Sequence, residues 1–577
     1  MKRRYLSFFS VPVFCLALAS CGGGSSAPAA EAASTPAPAP FDATGQLLPD
    51  CSGADCGALT ATTYSGTGIG IWRYNNDTGA TATLNLNIAG VSAGKVATLV
   101  FSNGSQATAA APRSGSSPDA PFSTLADVAS SSKVVAQQPE SGPQDAHLQM
   151  LEKNRSVAAA LVRSGATARP AADLTSSAAV TRLSLSPAIG TTRSWIDNFP
   201  TAAVRHDGIQ ARSVCRLPNG RNVVWWVEPS SETSGRLTAA DFAAMQASYC
   251  VEGSSSAAGG LTRIIELLGD VWGSEASKHA DVIQDAPGAL QDVNVVILNV
   301  PGAPWAGYFF GGNNLRQTSL SSSNEALAFF INADQIKVDL NFATSTLMHE
   351  STHMVNFYQR TVARGAIHDT WLEETSAMMT EDIVAPAVVP AGIGGYNKVL
   401  SFRLPIYLGT GGNVSYINWL SQLDQSANYA IGGGFGAFLN RRFGLSLYQQ
   451  LVTSASCRDG VSASALTSYA CLDGLIKANG GTGFSDEFAR FGATVFAQLP
   501  AAGTPAGYGY PGRTAGAYTL QAKDLSTTAL APPAPLSQGY AATSQTYLSD
   551  TIGTGKSSYQ RSGVVVPAHT SLTMIIK

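Results

Sequence analysis

Histidine is scarce in this chain, with 7 among 577 residues. Charge is scarce too: Asp, Glu, Lys and Arg make up 13%, and the formal net charge is -3. No basic run or patch is present, which excludes nucleic acid as a partner. After residue 20 no stretch reaches the ~18 consecutive apolar residues of a spanning helix. The 8 cysteines contain no C-x₂-C pair, which speaks against zinc binding by them and in favour of disulfides.

Residues 1–20 are present in another sense. Lys2, Arg3 and Arg4 precede an apolar run from Tyr5 to Ala19 that is too short to span. The run ends Leu18-Ala19-Ser20-Cys21, which resembles a bacterial lipobox. The resemblance implies cleavage before Cys21, a lipid on that residue, and an envelope protein anchored in the outer membrane, periplasmic or surface-exposed. Loss of the leader's three cations would take the net charge to -6. With Cys15 lost and Cys21 acylated, six cysteines remain, as local pairs 51/56, 215/250 and 457/471. An even count in an exported chain suggests disulfides, and the local pairs are the expected ones.

Against the scarcity of histidine, Met348-His349-Glu350-Ser351-Thr352-His353 stands out. At this composition a chance H-E-x-x-H has a probability on the order of a few in a thousand. The segment has helical character. Residues four apart share a helix face, with Cβ atoms roughly 5–6 Å apart, so both imidazoles can reach one metal ion. Glu350, next to the first His, can take a proton from water at that ion. A catalytic zinc site needs a third protein ligand and keeps one position open. Arg364-Gly365 is a helix stop, and a second helix opens at Thr370-Trp371-Leu372-Glu373-Glu374. Thr370 and Glu373 stand at capping-box spacing, which spends Glu373 on the helix terminus and makes Glu374 the better ligand.

Trp371-Leu372-Glu373-Glu374 resembles the W-L-N-E segment that supplies the glutamate ligand in gluzincin metallopeptidases of the thermolysin and aminopeptidase N type. His349-Glu350-x-x-His353-Met354-Val355-Asn356-Phe357, with that spacing, looks most like the hyicolysin family of gluzincins. The resemblance covers about residues 290–385. It implies an α+β, zincin-like domain: a mixed sheet, an active-site helix and a helical lower lobe. It implies Zn2+ held by His349, His353 and Glu374, Glu350 as catalytic base, and a protein or peptide substrate. Two positions depart from the pattern. Glu373 stands where the family more often has Asn, which leaves the choice between Glu373 and Glu374 open. Met378 stands where thermolysin-like enzymes place a supporting Asp, so Glu381 or Asp382 is the candidate for that carboxylate.

The remaining chain divides by composition. Residues 21–50 are a low-complexity tether. Residues 51–103 alternate at period two and read as a small β-domain, a binding module or a spacer. Residues 104–190 read as linker or propeptide, with a helix near 144–164. Residues 191–500 are the catalytic region. Within it, 326–332 is either an edge strand along the cleft or a core strand, and 307–312 is a loop over the cleft. Helical patterns run over 414–423, 435–443 and 446–453. Tyr429 and His368 are candidate donors to an oxyanion. Residues 501–577 read as a second β-domain. The expected function is zinc-dependent cleavage of extracellular or envelope proteins by an endopeptidase. The competing class is a non-enzymatic surface adhesin or scaffold lipoprotein with an inactive or structural zinc site. The sequence does not set the oligomeric state.

Overall fold

The computed structural model describes residues 45–118, 144–164, 186–200, 202–250, 259–285, 290–388, 396–419, 425–460, 465–536 and 539–577. The expected leader, Cys21 and most of the tether lie outside the described residues, as do 119–143 and 165–185 of the segment read as linker or propeptide. Among the described residues no helix is long and apolar enough to cross a membrane.

The architecture is α+β, with helices and several sheets. Residues 191–500, the expected catalytic region, contain a six-stranded mixed sheet. Its order across the sheet is Gly307–Phe309, Leu327–Asn332, Val293–Leu298, Asn222–Val227, Val204–Arg216 and Thr192–Asp197. The three middle strands are parallel, with Val293 opposite both Leu327 and Val223. They are rich in Val, Ile and Phe, as suits strands buried on both faces. Period two then sorts their side chains. Val223, Trp225, Val295, Phe329 and Ile331 face the main helical core. Val224, Trp226, Val296 and Phe330 face a second core with Trp195, Trp305 and Tyr308.

Residues 326–332 are therefore a core strand, paired on both sides and wholly buried. The edge is Gly307–Phe309, antiparallel to it, where the sequence suggested a loop. Three residues between glycines carry too short a pattern to register as a strand.

The helix Leu340–Asn356 packs its Leu347 and Met348 into the main core. Asp339 caps it, accepting from the backbone N–H of Asn341 at 2.9 Å and of Phe342 at 3.0 Å. A wider helical turn, Phe357–Val362, continues it. The second helix, Thr370–Ile383, returns alongside. Against it lies Gln425–Phe443, through a glycine face. A Cβ on Gly432 would fall 2.8 Å from Met378 Cε, and one on Gly436 2.9 Å from Met379 Cγ. The small residues at 432–436 thus set how closely the two helices approach. The helix expected over 414–423 does not form in 414–419. There the backbone turns to the C-terminal strands instead, with Tyr416 N donating to Thr543 O at 3.0 Å.

The two β segments at the chain's ends were expected as separate domains. They interleave instead. One sheet runs Leu48–Pro49, Gly70–Asn76, Thr570–Ile576, Val96–Asn103, Ser544–Thr551. The other runs Ser558–Val566, Ala82–Ala89, Thr63–Tyr64, Ala58–Thr60. Trp72, Leu99, Phe101 and Met574 of the first share one apolar core with Leu84, Leu86, Tyr559 and Val564 of the second. The physical reason is pairing: each half alone leaves strand edges open, and the other half fills them. The five-stranded sheet then docks on the helix Phe484–Phe496. Asp50 accepts from Arg490 at 2.8 Å and from the Tyr508 hydroxyl at 2.6 Å, and it also pairs with Arg73. Disulfides join Cys51–Cys56, Cys215–Cys250 and Cys457–Cys471, the local pairs expected.

Candidate metal centre

His349 and His353 leave the same face of their helix, ring centroids 4.8 Å apart and near-perpendicular. The second helix brings Glu374 between them. His349 Nε2 lies 3.0 Å from Glu374 Oε2, and His353 Nε2 3.6 Å from Glu374 Oε1. The three ligand atoms all fall within 4.8 Å of one another.

The outer ring nitrogens are held by different carboxylates. His353 Nδ1 lies 2.9 Å from Glu373 Oε1, and His349 Nδ1 lies 3.4 Å from Glu381 Oε1. Asn356 Nδ2 donates to Glu373 at 3.0 Å and steadies it. Glu373 is therefore not spent on a cap. The N-cap of its helix is Asp369, with no side-chain cap bond. Glu381 is seven residues past Glu374, two turns along the same face. Asp382 points elsewhere, to Arg441 at 2.7 Å and Asn440 at 2.9 Å. Met378, at the position of the missing Asp, packs under the glycines of the neighbouring helix.

Sequence reasoning missed the cations behind Glu381. Lys398 Nζ lies 3.0 Å and Arg403 Nε 3.1 Å from its carboxylate. Both come from a stretch interrupted by Pro and Gly, where no periodic signal exists. Lys398 also stands 3.5 Å over the ring of Phe342.

The electrostatics follow from this crowding. Burial alone would lower the pKa of both imidazoles, yet Glu381 and Glu374 raise that of His349, and Glu374 and Glu373 raise that of His353 well above its ordinary value. Burial opposes ionisation of Glu374, but His353 and His349 hold its carboxyl well below the usual range. The field between these side chains thus favours positive charge. Glu350, also buried, is pushed above its ordinary value, by burial first, with Glu374 adding and His349 and His353 opposing. Such a shift suits a general base.

The donor set fits a zinc ion. Two ligands at roughly 2.0–2.1 Å on tetrahedral corners stand about 3.3 Å apart, and the two His–Glu distances bracket that value. Inner nitrogens turned to one point and outer nitrogens held by carboxylates are the arrangement of metal-binding imidazoles.

The two candidate oxyanion donors separate. Tyr429 is at the site: its ring lies 6.4 Å from that of His349, and burial first, then the Glu374 carboxylate, push its hydroxyl well above its ordinary pKa. Trp419 at 4.9 Å and the Arg403 guanidinium at 4.9 Å hold the ring. His368 is not at the site. Its Nδ1 meets Asp459 at 2.6 Å, in a buried group with Arg360, Ser468 and the Cys457–Cys471 disulfide. That second group of His, Cys and Asp is no ligand set, since its sulfur is oxidised and its carboxylate pairs with Arg360.

Comparison with known proteins gives two family matches. A model of a domain of unknown function (DUF8571) matches residues 49–113, the N-terminal strands of the interleaved β unit. No curated protein matches the chain. The model of peptidase M30, a family of zinc metallopeptidases with a zincin-like domain, matches residues 207–577, from the mixed sheet through both helices of the site to the last strand. The chain belongs to the peptidase M30 family.

Proposed function

We propose that this chain is a zinc endopeptidase in which His349, His353 and Glu374 hold the ion and Glu350 is the general base. The observation that carries the reading is the turning of both inner imidazole nitrogens to one buried carboxylate while two other carboxylates hold the outer nitrogens. A zinc ion, when bound, polarises a peptide carbonyl and brings the pKa of its water from 15.7 to roughly 7.

The protein's own groups do the rest. Glu350 accepts the proton of the attacking water and delivers it to the leaving amine. The Tyr429 hydroxyl, beside His349, donates to the oxygen that gains charge as the carbonyl is attacked. Glu373 and Glu381 fix the two ring orientations. Lys398 and Arg403 offset the charge of Glu381 in a buried setting. Substrates are proteins of the envelope or its surroundings, and the chain is tethered by a lipid on Cys21, as the Leu18-Ala19-Ser20-Cys21 segment suggests.

The test uses the Glu350→Gln variant. It should keep stoichiometric zinc and lose chelator-sensitive cleavage of casein. Cleavage at the wild-type rate would remove Glu350 from the mechanism. A wild-type protein that holds zinc and cuts no protein would overturn the endopeptidase reading.

A further inference from the structure

The helix Gln144–Ser164 lies before the stretch matched by the peptidase family and after the stretch matched by the other. It packs Met150, Ala158, Ala159 and Leu161 into the protein. Three successive polar residues then fasten it to different elements. Lys153 Nζ donates to Asn198 O at 2.8 Å. Asn154 Nδ2 donates to Phe309 O at 2.6 Å, and Asn154 Oδ1 accepts from Gly311 N at 2.8 Å. Arg155 Nη2 pairs with Asp369 at 2.7 Å.

Phe309 ends the edge strand of the mixed sheet. A carbonyl and the N–H two residues on are the two groups that one residue of an added parallel strand would bond. One side-chain amide takes both. The strand runs beside the metal centre. A Cβ on Gly307 would fall 2.7 Å from Thr346, one turn before His349. The Phe309 ring packs on Phe357, one turn after His353, at 6.0 Å. Asp369 is the N-cap of the helix that carries Glu374. Asn154 and Arg155 therefore bridge the two walls of the site, strand edge to glutamate helix, at the end beyond His353.

We infer that this helix is a bar across one end of the cleft, which limits how far a polypeptide extends past the metal on that side. The inference rests on the peptidase reading above. A long substrate must compete with Asn154 for the edge of Gly307–Phe309, whereas a short peptide that stops near the metal does not.

The test compares wild type with the Lys153→Ala/Asn154→Ala/Arg155→Ala variant in the full chain. Alanine keeps helix propensity, so the variant loses the fastenings and not the helix. Two quenched peptides share one cleavable bond: a blocked tripeptide and a dodecapeptide. For the dodecapeptide the variant's kcat/KM should rise at least about tenfold, mainly through KM, with the tripeptide unchanged. Equal effects on both, or a loss on both, would overturn the bar. A second measurement needs no turnover. With zinc-loaded Glu350→Gln protein, binding of the dodecapeptide should speed hydrogen exchange in residues 149–164, and binding of the tripeptide should not. Unchanged exchange with the dodecapeptide bound would overturn it too. If neither protein cuts either peptide, the peptidase reading fails, and the exchange experiment still decides on the bar.

Discussion

Glu373 and Glu374 are neighbours in sequence with different contacts, and paired substitutions test whether their tasks differ as proposed. Glu374 is 1% exposed and touches the inner nitrogens of both imidazoles, whereas Glu373 is 28% exposed and, of the two imidazoles, touches only the outer nitrogen of His353. Glu374→Gln exchanges the buried carboxylate between the two imidazoles for a neutral amide, and if Glu374 is the third ligand, as proposed, stoichiometric zinc should be lost. Glu373→Gln removes a charge-assisted contact of 2.9 Å but keeps a carbonyl oxygen that can accept from the same ring. Removing such an outer partner costs metal affinity about 10–100-fold. That range is about 1.4–2.8 kcal/mol, and the partial exposure of Glu373 places the effect at its lower end. The assay is competition for zinc against a chromogenic chelator, with elemental analysis of the purified proteins. A Glu374→Gln protein that keeps its zinc while Glu373→Gln loses it would reverse the ligand assignment. Equal losses in both would refute the separation of roles.

Tyr429→Phe should retain zinc and KM and lower kcat by about 10²-fold, the usual cost of one oxyanion donor. An unchanged kcat, or a loss of zinc, would make Tyr429 a structural residue. Asp459 offers a pH test. Burial opposes its ionisation, but His368, Arg360 and Ser468 hold its carboxyl at about 2, below the ordinary 3.8. A depressed folded value means that stability is present above pH 3.8 and is lost as pH falls towards 2; the gap corresponds to about 2 kcal/mol. Asp459→Asn should therefore be destabilised above pH 4, with the difference from wild type narrowing towards pH 2 in urea unfolding. Parallel curves over that range would refute the coupling.

The candidate metal centre stood out in the sequence because its residues sit in short local patterns. H-E-x-x-H fixes one helix face by itself, and the second helix announces itself at Arg364-Gly365 and Thr370. The different contacts of Glu373 and Glu374 show only in three dimensions, since capping-box spacing and a contact to a ring nitrogen look alike in sequence. Lys398 and Arg403 were invisible because they follow a Pro- and Gly-interrupted stretch of sequence with no period that would tie them to Glu381. Alternation revealed the strands of both terminal segments but not their partners. Register between residues 70–76 and 570–576 is a matter of matching edges over almost the whole chain, which no local window contains.

That last pairing has a consequence for how the protein is made. Thr570–Ile576 lies in the middle of its sheet, between Gly70–Asn76 and Val96–Asn103. Gly70–Asn76 has Leu48–Pro49 on one side from the start, but its other edge must stay open through nearly five hundred residues before the piece that joins it to Val96–Asn103 emerges. A nascent chain arrested short of that piece would present two sticky borders to its neighbours, so truncated products should be cleared or clump rather than accumulate as partly active enzyme.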